Sequence, residues 1–242
     1  MSDFDYLSRR IGFSTGALER GRYTVAIDWL RTEHVRSVEL SALRLQELEP
    51  LLNDLDRIDW TSFSYISFHA PSSFPSELEN WVVDLLGKVF DRGWNIIVHP
   101  DVIRTPSLWQ RFGSQLLLEN MDRRKTDART ADELSKWFEK LPDARLCLDM
   151  AHAKQLDTTL LLLTEILEKF RDRIAEVHIS ELDSHCRHQP MSASSVADFQ
   201  RMASAFNLRL PIIVESMLDG ERKELRMKEL KLADRATQPV RS

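Results

Sequence analysis

The feature that most limits what this chain can fold into is an alternation repeated eight times. A short apolar, strand-like run is followed each time by a stretch with apolar residues at helical spacing. The strand-like runs fall at 10–15, 35–40, 65–70, 95–100, 115–120, 146–150, 174–180 and 210–216. Helices are expected at 17–33, 42–55, 77–90, 107–112, 131–140, 156–170, 196–206 and 219–232. Strands that alternate with amphipathic helices pair in parallel through right-handed crossovers. Eight such units of about 30 residues are what a single (β/α)8 TIM barrel requires. The expected domain spans 1–242, with its core over 11–232 and a frayed tail over 233–242. A doubly wound open sheet is the alternative, but it more often carries a Gly-rich phosphate turn after its first strand. Gly12-Phe-Ser-Thr-Gly16 is not that turn, and the chain has only seven glycines.

Composition closes off several function classes. With 43% hydrophobic residues the chain can bury a substantial core. A net charge of −5 provides no global field for nucleic acid, so a nucleic-acid partner is not expected. Cys147 and Cys186 are the two cysteines, too few for a disulfide framework, and they suit a reducing cytosol. The first ten residues lack the apolar core of a signal peptide. No apolar run approaches the roughly 18 residues that span a bilayer. The expectation is a cytoplasmic protein with a small-molecule partner and no membrane contact; homo-oligomerisation is left open.

The strand-like runs end on ionisable residues: Glu39, His69, His99, Glu119, Asp149, His178 and Glu215. Several of these recur at intervals of about 30 residues, the length of one unit, so their side chains should arrive at one rim of the barrel. So many ionisable groups in one mouth would repel, or be costly to desolvate, without a cation. A bound divalent metal answers that. Mixed carboxylate and imidazole ligands suit zinc, manganese, iron or cobalt better than calcium. Glu39 is expected to pair with a neighbouring Arg and is kept outside the metal site. A rival reading exists for Asp149 as the cap of the next helix, with His152 an ordinary hydrogen-bonded histidine.

Together the strand ends His-Ala-Pro, Val-His-Pro, Leu-Glu-Asn, Leu-Asp-Met-Ala-His, Val-His-Ile and Val-Glu-Ser resemble the xylose-isomerase-like barrel superfamily. That superfamily holds sugar isomerases and epimerases and also endonuclease IV. The resemblance runs from about Ile11 to Ser216 and is specific to the superfamily, not to one reaction. In the epimerase branch it implies one metal held by Glu119, Asp149, His178 and Glu215, with His152 contacting substrate. In the endonuclease IV branch it implies up to three ions, with His69, His99, His152 and His188 as further ligands. That branch carries an Asp-x-His pair after the seventh strand. Here the run is Cys186-Arg-His188, so Cys186 stands in place of the Asp and leaves open whether it ligates metal itself.

The first functional expectation is an isomerase or epimerase acting on a small polyhydroxylated, optionally phosphorylated, substrate. The resemblance makes Glu119 and Glu215 the proton-transferring carboxylates, with His152 orienting a hydroxyl. The alternative is a phosphoesterase of the endonuclease IV type, using several zinc ions. A third reading is a non-catalytic ligand-binding barrel. The cofactor expectation is therefore one to three divalent ions. Arg187, flanked by site residues, and His188 are candidate substrate contacts. The basic loop 122–129 is either a solvated surface or a phosphate grip. Trp29, Trp81 and Trp137 lie at helical core spacing and read as packing; Trp109 and Phe112 line either the core or the mouth.

Overall fold

A computed structural model describes residues 9–205, 209–218 and 223–239. Expectations for residues 1–8, 206–208, 219–222 and 240–242 lie outside the described residues: the N-terminal segment, the end of the helix at 196–206, the start of that at 219–232 and the end of the tail.

The chain runs β1 (Ile11–Ser14), α1 (Thr15–Glu19), α2 (Tyr23–Thr32), β2 (Ser37–Ser41), α3 (Leu45–Asp54), β3 (Tyr65–His69), α4 (Glu79–Phe90) and β4 (Asn95–Val98). It continues through α5 (Pro106–Trp109), β5 (Leu116–Glu119), α6 (Ala131–Lys140), β6 (Arg145–Asp149), α7 (Met150–Leu156), α8 (Leu161–Phe170) and β7 (Ile174–Ile179). The last elements are β8 (Glu181–Leu182), β9 (His188–Gln189), α9 (Ala193–Met202), β10 (Ile212–Val214) and α10 (Lys223–Ala236). Eight parallel strands close in the order β1-β10-β7-β6-β5-β4-β3-β2. This is the expected (β/α)8 barrel, and the open-sheet alternative falls. At the β1–β2 seam a side chain at Gly12 would bring its first carbon within 1.8 Å of the Ser37 carbonyl oxygen, so only glycine fits.

Alternation along each strand sorts the residues into two shells. One set, including Phe13, Val38, Leu40, Phe68, Val98, Leu118 and Leu148, is buried against the helices in the main core. The opposite set faces the barrel axis. Its apolar part is small: Ile97, Leu117, Cys147 and Ala175 form a separate cluster. The rest of the interior is polar, with Ser37, Glu39, Ser67 and Glu176 all at zero exposure. Tyr65 on β3 hydrogen-bonds Glu176 on β7, four strands away around the ring, so this contact crosses the barrel.

Several expected elements are redrawn. The helix expected at 17–33 breaks at Arg20 and Gly21, both with positive φ, giving α1 and α2. The helix expected at 156–170 is preceded by α7 and interrupted before Leu160, whose φ is 67°. Periodicity carries no mark of such a break, because apolar residues flank it on both sides. The polar loop expected at 181–193 contains the antiparallel hairpin β8–β9. The expected frayed tail is structured at its start: α10 continues to Ala236, and Ala233 and Ala236 are fully buried. Trp109 and Phe112 lie in the core, whereas Trp81 is 39% exposed and is not the packing residue expected. No helix among the described residues is long and apolar enough to cross a membrane.

Candidate metal centre

Strand pairing in register brings the predicted rim together. Asp149 pairs with His178, and Ser41 with His69, at the same ends of neighbouring strands. Glu119, Asp149, His178 and Glu215 each offer a ligand atom within 4.8 Å of the others. Three further groups meet the same limit: His69, His99 and Glu119; Asp149, His152 and His188; and the fully buried Cys147, Glu176 and His178. Glu119 thus belongs to two groups, and so does Asp149. All eight metal-ligand candidates read from the sequence lie in this one constellation. It opens into a cavity of about 330 Å³, a size that suits a small ligand.

Glu119 sits at the centre. Its Oε2 lies 3.1 Å from His69 Nε2 and 3.3 Å from His99 Nε2. Its Oε1 lies 3.4 Å from His152 Nδ1 and 3.6 Å from His178 Nδ1. Burial would raise its pKa, but the neighbouring imidazoles of His178, His69 and His99 hold it well below the usual carboxylate range. Glu215 Oε2 is 3.4 Å from His178 Nδ1 and 3.6 Å from His188 Nδ1. Burial raises Glu215 too, yet the charges of His178 and His188 bring it far down. Asp149 behaves oppositely: burial pushes its carboxyl up to about 7, with His152 pulling against that.

Backbone and neighbouring side chains fix which nitrogen of each imidazole faces the centre. His69 Nδ1 donates to the Ala70 carbonyl at 2.7 Å, which turns Nε2 to Glu119, where it is hydrogen-bonded in the metal-free chain. His152 Nδ1 donates to the Asn120 carbonyl at 2.8 Å, which leaves Nε2 bare. Asn120 in turn clamps the Asp149 backbone at both N–H and C=O, each at 2.8 Å. His178 Nε2 donates to Glu176 Oε1 at 3.2 Å, which leaves Nδ1 bare. A metal-binding histidine is normally held this way, with its other N–H engaged by carbonyl or carboxylate.

The donor set fits a divalent ion on one observation. Asp149 Oδ2, His152 Nε2, His178 Nδ1 and Glu215 Oε2 are all buried without any hydrogen-bond partner. Stranding several polar atoms in one place costs more than folded proteins usually tolerate, and ligation is the economical remedy. The rival reading of Asp149 as a helix cap is also met, because its Oδ1 accepts the His152 N–H at 2.7 Å. One oxygen caps α7 and the other remains for the centre.

Other expectations need correction or completion. Among the described residues Glu39 has no Arg partner; its Oε2 lies 2.9 Å from His178 Nε2, and both residues are fully buried. Cys186 lines the cavity but lies outside all of the ligand groups, and its thiol donates to Gln155 Oε1 at 3.4 Å. Arg187 lines the cavity but is 69% exposed at its side chain and paired with Asp183 at 2.8 Å. Within the basic loop, Arg124 reaches the cavity lining while gripping the fully buried Asp122. Asp122 Oδ2 stands 3.9 Å from His152 Nε2 and was not read from the sequence. Glu176 was also missed; its place two residues before His178, on the same face of the strand, was the available signal.

No family model matches the chain, and no curated protein matches it. Solved structures do. A 3-keto-D-glucoside 4-epimerase, YcjR from E. coli, superposes with a TM-score of 0.60 at 14% identity, over 93% of this chain and 98% of that one. A xylose isomerase domain protein from Alicyclobacillus acidocaldarius gives 0.59 at 15% identity, over 94% and 99%. SacUVDE gives 0.54 at 15% identity, over 93% and 96%. The fold is thus the one found in xylose-isomerase-like barrels, as the strand-end motifs imply.

Proposed function

We propose that this barrel is a metal-dependent enzyme whose centre takes more than one divalent ion and hydrolyses a small phosphate ester. The observation that carries this reading is the sharing of carboxylates between ligand groups. Glu119 belongs both to the group with His69 and His99 and to the group with Asp149, His178 and Glu215, while Asp149 also joins His152 and His188. A single ion held by the four-residue group has no use for the four further imidazoles of His69, His99, His152 and His188. Ions held in such groups supply Lewis acidity to a phosphoryl group and acidify water at neutral pH. The chain's own contribution is to hold His152 and His178 with their bare nitrogens inward and to fix Asp149 through Asn120. Arg124 and Arg187 at the cavity rim add positive charge where a phosphate would enter, although each is partly neutralised by its Asp partner.

The isomerase or epimerase reading stands beside it, favoured by the four-residue group alone. Glu119 and Glu215 lie on strands three apart in the ring, so two carboxylates approach one ligand from different sides. The fold likeness to a protein described as an epimerase is compatible with it. Metal content separates the two. After zinc loading and desalting, the phosphoesterase reading expects about two to three ions per chain, the isomerase reading about one. Glu119→Gln should then release more than one equivalent and abolish hydrolysis of bis-p-nitrophenyl phosphate. One retained ion in wild type, together with solvent deuterium exchange into a ketose, would decide for the isomerase. No retained ion would end both.

A further inference from the structure

We propose that Glu39 and Glu176 form a pair of positioning residues, buried beneath the cavity, that lock His178 with Nδ1 turned to the metal centre. The inference rests on the metal reading above. His178 Nε2 lies 2.9 Å from Glu39 Oε2 and 3.2 Å from Glu176 Oε1, on the side of the ring away from the cavity. All three residues have zero exposure. The N–H direction favours Glu176, and Glu39 Oε2, though nearer, has no hydrogen-bond partner. The ring is therefore gripped by one carboxylate and crowded by a second. Turning it over would remove the N–H from both.

Each carboxylate is itself held. Glu39 Oε1 accepts from Ser41 Oγ at 3.2 Å, and Ser41 Oγ is bonded to Ser14 Oγ at 2.6 Å. Glu176 accepts from Tyr65 across the barrel and from Ser67 Oγ at 3.1 Å. Tyr65 is steadied by Asn95 at 3.0 Å. These contacts come from β1, β2, β3, β4 and β7, so the pair ties the ring to most of the barrel wall. Among the described residues, Glu39 has His178 as its ion-pair partner and no Lys or Arg. Two carboxylates directed at one imidazole make a poor arrangement for a metal-free core, since a single imidazolium cannot compensate two fully buried acids. They make a good one for a ring whose far nitrogen binds a dication, because an outer carboxylate strengthens the imidazole as a ligand.

The test uses Glu39→Gln, Glu176→Gln and the double variant in the full chain. The zinc equivalent lost on His178→Ala identifies the site. Its affinity, measured by competition with a fluorescent chelator, should fall about 10- to 100-fold in each single variant. Metal-free melting temperature should stay level or rise. In the cadmium-loaded wild type, ¹⁵N spectra should show the metal on His178 Nδ1 and the proton on Nε2. The inference is overturned by zinc affinity within twofold of wild type in all three variants. It is overturned equally by a loss that merely follows falling metal-free stability, the mark of a structural role, or by a metal on Nε2. Wild type that holds no zinc removes the proposed function as well; wild type that holds zinc no better than the variants removes this inference alone.

Discussion

Asp149 divides its oxygens between folding and chemistry. Oδ1 caps α7, and Oδ2 is left unpaired in the cavity wall. A cap and a ligand are alternatives only when one atom must do both. This explains why the candidate site was largely legible in the sequence. Six of the eight candidate ligands lie at the end of a barrel strand or just past it, so unit length alone places them on the common rim, whereas His152 in α7 and His188 in β9 were named as further ligands through the family resemblance. What strand order could not supply was depth. Glu39 and Glu176 lie below the rim, and their contacts with His178 and Tyr65 depend on how the staggered strands face one another across the axis. Cys186 was undecided for a similar reason, since a loop residue has no register. Its thiol is bonded to Gln155 and joins no ligand group. Cys186→Ala should therefore leave the metal content of zinc-loaded protein unchanged, whereas His188→Ala should lower it. Elemental analysis of the two variants checks this, and metal lost from Cys186→Ala would restore the thiol as a ligand.

At the scale of the element, α10 shows where periodicity reads well and where it stops. Its many charges leave open from sequence what it covers, and a frayed tail is expected after 232. In the fold, Leu230, Ala233 and Ala236 are fully buried, and Arg226 reaches the equally buried Glu19 on α1. The Arg226 guanidinium also stacks 5.0 Å from the Trp29 ring centre. The last helix thus closes the barrel against the first helices through a buried ion pair that no apolar stripe announces. The eight-unit pattern was legible because each unit repeats the same burial problem. The break at Leu160 was not, because a left-handed residue of ordinary type leaves no compositional trace, while at the first break Gly21 was the available signal. Arg226→Ala leaves Glu19 with the 70%-exposed Arg22 as its other ion-pair partner, so the variant should cost about 1.5–3 kcal/mol in urea unfolding, the range for a hydrogen bond to a charged group. Arg226→Met with Glu19→Leu should recover much of that, since a buried pair is often replaceable by apolar residues. A single variant as stable as wild type would show that α10 is not anchored there.

For the whole molecule, the ligand cluster ties folding to metal and to pH. In the metal-free chain burial works to lower the His69 pKa, yet its hydrogen bond to Glu119 and the charges of Glu39, Glu119 and Glu215 push it up to about 9. His152 and His178 are raised as well, against burial, by their acidic neighbours. A histidine raised in the folded state stabilises fully below its unfolded pKa near 6.5 and loses that contribution as pH climbs through the folded value. Asp149 acts in the same sense: pushed up to about 7 by burial, it holds a proton the unfolded chain has already released, and this advantage is gone above 7. His99 and His188 are lowered by burial, so they oppose the trend only at pH values below about 6.5. Metal-free protein should therefore weaken steadily between about pH 6.5 and 9. Ligation requires those same protons to leave, so zinc binds more tightly over the same interval. The gap in melting temperature between zinc-loaded and chelator-treated protein should widen as pH rises through that window, read by thermal unfolding in matched buffers. A gap that stays flat would mean that the protons held by the folded chain and the sites that hold the ion belong to different groups. The crowding of acids and imidazoles that burdens the metal-free fold would then have some purpose other than cation binding.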